Sequence, residues 1–113
     1  MSLDVDLMVT KPCSVYEGNI THNLGKMASQ VGLSNGLSLY DVLWRPDEHG
    51  LTHAGQIVDF LHEGMVKLTK DPDYFRKYNP ENGWGSYDGL VNFTRDYYNA
   101  CMENMEAELR ISR

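Results

Sequence analysis

The sequence predicts an α+β fold, with three main helices and several short helical turns packed on a small sheet formed by the N- and C-terminal strands. Three observations carry this. Both ends of the chain alternate apolar and polar residues with a period of two, the pattern of a half-buried strand. Three interior segments place apolar residues at the spacing of amphipathic helices. The 113 residues, 42% hydrophobic and 23% charged, suit one globular domain spanning 1–113.

The elements follow in order. Over residues 4–10, Val5, Leu7 and Val9 face one way and Asp4, Asp6, Met8 and Thr10 the other. Over 107–112, Ala107, Leu109 and Ile111 alternate with Glu108, Arg110 and Ser112. An isolated strand pair is marginal in water, so helices must cover its apolar face. Asp4 and Asp6 are expected across from Arg110 and Arg113, a favourable cross-strand arrangement. Asn19 is expected to cap a first helix whose stripe is Ile20, Leu24, Met27, Ala28 and Val31, with Gly32 in the left-handed position past its end. A short helix is expected over 39–45, ending before Pro46. Thr52 is expected to cap the next, with stripe Ala54, Ile57, Val58, Leu61, Met65 and Leu68. Asp71 followed by Pro72 opens a short turn running to Tyr78. Ser86 caps the last helix, with Asp88 near its start and a stripe of Tyr87, Leu90, Val91, Thr94, Tyr97, Tyr98 and Cys101.

Charge and composition narrow the function classes. A net charge of −6 disfavours direct binding of a nucleic-acid backbone, which needs clustered Lys and Arg. It permits an acidic domain that docks on a basic partner, or a local cationic pocket. No apolar run approaches the ~20 residues of a membrane helix. The acidic start, Met1-Ser-Leu-Asp-Val-Asp, lacks the basic and apolar regions of a signal peptide. Cys13 and Cys101 do not form a disulfide framework. A reduced, cytoplasmic protein with no membrane association is expected.

The most informative stretch is Asn79-Pro-Glu-Asn-Gly-Trp-Gly-Ser-Tyr87. It follows neither helical nor strand periodicity. Two glycines, tolerant of positive φ and close approach, bracket Trp84, and the polar side chains of Asn79, Glu81 and Asn82 crowd beside it. If exposed, Trp84 is a stacking or docking platform. If buried, it is a plug that closes the core.

A second candidate is the opening turn of the first expected helix, where Asn19, His22 and Asn23 meet free backbone N–H groups that favour an anion. The structural alternative is that Asn19 caps the helix and His22 bonds a loop carbonyl. A third is Trp44-Arg45. Arg45 offers a planar fork for a carboxylate or phosphate; otherwise it pairs with Asp41 or Asp47, and Trp44 belongs to the core.

Conventional catalytic and metal patterns do not emerge. His49, His53 and His62 lack a zinc spacing and paired cysteines. Cys13 could meet His22 in a Cys–His arrangement, but no spacing supports it. The glycines around Trp84 lack the strand and third glycine of a dinucleotide fingerprint. No cofactor and no metal are expected, and an enzymatic role is disfavoured.

The segments Tyr16-Glu-Gly-Asn-Ile-Thr-His-Asn-Leu-Gly-Lys-Met-Ala28, Leu39-Tyr-Asp-Val-Leu-Trp-Arg-Pro46, Asn79–Tyr87 and Arg110-Ile-Ser-Arg113 resemble a family of small, uncharacterised phage and prophage proteins. The resemblance spans most of the chain. It implies a small accessory protein of a bacterial cytoplasm and supplies no catalytic residues.

Two functions are therefore expected from the candidate set Asn19, His22, Asn23, Arg45, Asn79, Asn82, Trp84 and Tyr87. One is interaction with a protein partner, a host factor or a second copy, through the Trp84 loop and nearby tyrosines. The other is binding of a small anionic or nucleotide-like ligand between the 19–23 segment, Arg45 and the Trp84 loop.

Overall fold

The computed structural model describes residues 2–10 and 13–113. Its order is β1 (Ser2–Thr10), β2 (Cys13–Thr21), α1 (Gly25–Ser29), α2 (Leu39–Trp44), α3 (Ala54–Lys70), α4 (Pro72–Arg76), α5 (Tyr87–Glu103) and β3 (Glu108–Ser112). The fold is α+β, and the terminal strands do pair. β1 is central in an antiparallel sheet ordered β2-β1-β3, with Val5 opposite Ile111 and Leu7 opposite Leu109.

Leu3, Val5 and Leu7 are fully buried beneath the helices. The alternation then breaks. Register shifts flank Met8 in its pairing with β2, so Met8 turns inward and Val9, expected inside, is 52% exposed. A bulge places two residues opposite one and reverses the facing of those beyond it. On the solvent face Asp6 stands opposite Glu17 on one side and Arg110 on the other, while Asp4 faces Asn19 and Ser112. The expected pairing of acidic β1 with basic β3 thus holds for Asp6 and Arg110. Arg113 goes elsewhere, to Asp47.

The expected first helix is corrected most. Residues 13–21 form a strand, and Ile20 is buried opposite Leu3. Asn19 caps nothing; its amide donates across the strands to Ser2 Oγ (2.9 Å) and to Asp4 Oδ1. Thr21 is the cap, its Oγ1 accepting from Asn23 N (3.3 Å) at the start of a single 3-10 turn, His22–Leu24. Leu24, Met27, Ala28 and Val31 keep the predicted inward stripe. Gly32 is not left-handed, since the positive-φ glycines are Gly36, Gly50, Gly83 and Gly85; it bridges to Ser38 instead.

The remaining helices follow their signals. In α2, Ser38 Oγ accepts from Asp41 N (3.2 Å) and Asp41 Oδ2 accepts from Ser38 N (2.9 Å), a reciprocal capping box. The helix ends at Trp44, before Pro46 opens a 3-10 turn, Pro46–His49. His53, not Thr52, is the N-cap of α3, because Gln56 Oε1 reaches back to both Thr52 N (2.7 Å) and His53 N (2.9 Å). Asp71 and Ser86 cap α4 and α5 as expected. The long helices α3 and α5 pack on each other, and α5 packs on β2. Tyr97 of α5 stacks on Tyr16 of β2, with ring centroids 6.0 Å apart.

Candidate functional site

The loop joining α4 to α5 is held by its own side chains. Asn79 Oδ1 accepts from Tyr87 N (2.8 Å), and Asn82 Oδ1 accepts from Trp84 N (3.0 Å), an Asx turn. Gly83 and Gly85 both have positive φ, 77° and 107°. Gly85 lies so close to the 21–24 turn that a Cβ there would stand 2.8 Å from Thr21 Cγ2 and 3.0 Å from Leu24 Cγ. Asn23 Nδ2 donates to Trp84 O (3.3 Å) and fastens the loop to that turn. The backbone beneath Trp84 is therefore fixed at several points while its indole is 71% exposed.

Three candidates thus have structural duties. Asn79 and Asn82 shape the loop, and Asn19 ties β2 to β1. Tyr87 is buried. Its hydroxyl donates to Leu68 O (2.7 Å), and the Arg76 guanidinium lies 4.8 Å from its ring centroid. It anchors the start of α5 to the end of α3 and offers no face to a partner.

His22 and Arg45 belong to a different place. They line a cleft of about 380 Å³ together with Tyr40, Trp44 and Arg113. Trp44 forms its floor, only 2% exposed, with Tyr40 stacked on it at 5.3 Å and His22 edge-on at 6.2 Å. Arg45 Nε donates to Tyr40 Oη (3.3 Å) and Nη1 to Glu48 Oε2 (2.7 Å). Its sequence-expected partners, Asp41 and Asp47, are taken by others: His49 Nε2 lies 3.7 Å from Asp41 Oδ1, and Asp47 receives both Nη groups of Arg113 at 2.8 and 3.2 Å. Arg113 Nη1 also donates to Trp44 O (3.3 Å). His22 Nε2 is buried without a hydrogen-bond partner.

The neighbours His22 and Asn23 thus face two separate features, and Trp84 is not among the residues lining the Arg45 cleft. Arg113 was missed from sequence because it brings its charge from 69 residues beyond Trp44; no local pattern encodes that contact. A further concavity, about 920 Å³, runs along the outer edge of β3 beside Pro46, Leu51, Leu109 and Ile111. Residues 52–54 pair with that edge through Leu109 N to Thr52 O (2.8 Å) and Ala54 N to Ala107 O (2.9 Å).

Other sequence candidates disperse. Burial pushes the Cys101 thiol up to about 12, far from the low values of reactive cysteines. The side chain of Cys13 lies outside the described residues, so its encounter with His22 does too. His53 Nδ1 lies 2.8 Å from Thr52 Oγ1, and the His62 ring packs 5.6 Å from that of Tyr98. Among the described residues no helix is long and apolar enough to cross a membrane. No protein-family model, curated protein or solved structure matches the chain.

Proposed function

We propose that this is a small acidic accessory protein, of phage or prophage origin and acting in the bacterial cytoplasm, that works by docking on another protein through the Trp84 loop. A host factor is the partner this reading favours, with a second copy of the chain as the other. The observation that carries it is the 71% exposure of Trp84 on a backbone pinned by Asn23, Asn82 and Gly85. Leaving an indole in water forgoes burial worth on the order of 3 kcal/mol. A rigid, projecting Trp is the residue type that dominates binding energy at interfaces, and its fixed backbone limits the entropy lost on docking.

The test is Trp84→Ala. An exposed side chain should be removable with a melting temperature close to that of the wild type. Light scattering and affinity capture from a bacterial lysate, followed by mass spectrometry, are run on both proteins. Docking through Trp84 requires a self-association or a reproducible partner that the variant loses. Identical oligomeric state and identical captured proteins in the two samples would remove the proposal.

A further inference from the structure

We infer that the cleft formed by His22, Tyr40, Trp44, Arg45 and Arg113 binds a small oxyanion, the phosphate or carboxylate group of a compact ligand. The site is separate from the Trp84 loop and does not depend on its function. Its polar lining is rich in donors. Two guanidinium groups and an indole N–H have no acceptor capacity. The Tyr40 hydroxyl already accepts from Arg45 Nε, which leaves its proton for another acceptor. Among the described residues no Asp or Glu side chain lines the cleft.

The acidic residues nearby act on the arginines from outside. Glu48 Oε2 lies 2.7 Å from Arg45 Nη1 and 3.6 Å from Arg113 Nη2, drawing both guanidiniums towards one point. Asp47 grips Arg113 by both Nη atoms. Each arginine carries five N–H donors, and among the described residues these contacts leave Arg45 Nη2 and Arg113 Nε without a hydrogen-bond acceptor. Two forks held in place beforehand lose little rotamer freedom when an anion arrives. His22 Nε2, buried beside the cleft, has no hydrogen-bond partner among the described residues.

Asp47 and Glu48 balance the formal charge of Arg45 and Arg113, so recognition rests on short-range donors rather than a long-range field. At about 380 Å³ the cleft lies at the small end of ligand sites. It suits one oxyanion group with a compact body, not a polymer.

The experiment uses Trp44 as the reporter. In a Trp84→Phe background, Trp44 is the only tryptophan. Its fluorescence and the melting temperature are followed during titration with inorganic phosphate, with acetate, and with chloride at matched ionic strength. A saturable response to phosphate, to acetate or to both supports the site and selects the group. Arg45→Gln should weaken that response at least tenfold, and Arg45→Lys, which keeps the charge and loses the fork, should fall between. Circular dichroism checks that the variants fold. The site is overturned if chloride reproduces the response, if neither oxyanion gives a saturable change, or if folded Arg45→Gln binds as well as its parent.

Discussion

Gly85 shows how one residue can set a functional surface. Its φ of 107° is a conformation L side chains rarely adopt, and Thr21 and Leu24 fill the space a Cβ would take. Gly83 shares the positive φ but has open surroundings. Gly85→Ala should therefore cost about 1–3 kcal/mol, and Gly83→Ala roughly 1 kcal/mol, from backbone strain alone. Urea unfolding of the two variants measures the difference; equal costs would mean that the contact with the 21–24 turn contributes nothing. The crowding of Gly and Asn around Trp84 is visible in the sequence. Which glycine is crowded is not, because the crowding atoms lie some 60 positions away in the chain.

At the scale of elements, the 21–24 turn is the hinge between two features. Its Asn23 holds the Trp84 loop, and the adjacent His22 lines the Arg45 cleft. Asn23→Ala removes an exposed hydrogen bond worth about 1 kcal/mol and no buried apolar area. It should lower the melting temperature only slightly, while backbone amides of the loop exchange faster with solvent. Unchanged exchange across 82–86 would show that the turn chemistry of Asn82 and Gly85 suffices to hold the loop. The misreading of Asn19 belongs to this scale as well. Asn and an apolar residue every fourth position imitate a capped helix, yet Ile20 is β-branched and finds Leu3 across the sheet. Strand pairing outweighs a weak local preference, and the helix is left with five residues.

At the scale of the molecule, Arg113 joins the end of the chain to the Pro46–His49 turn. The Asp47 carboxylate is held below the usual aspartate range by its hydrogen bonds with Arg113. A depressed carboxylate contributes stability that is present in full above its unfolded value, near pH 4. That contribution is lost as pH falls through the lower folded value. Asp47→Asn should therefore lower the urea midpoint modestly at pH 6, modestly because the pair is solvent-exposed, and the gap from wild type should close at acid pH. A gap that persists at pH 2 would assign the effect to packing rather than charge.

The sequence alone determined the fold class, the pairing of the chain ends and the stripes of α3 and α5. These rest on periodicity, which short stretches of chain express by themselves. It also marked the Trp84 loop and Arg45 by residue type. Only the tertiary structure decided that Trp84 points into solvent, that Tyr87 and Asn19 are ties within the fold, and that Arg113 stands beside Arg45. Those outcomes depend on contacts between residues far apart in the chain, formed once the sheet closes and the helices lie over it.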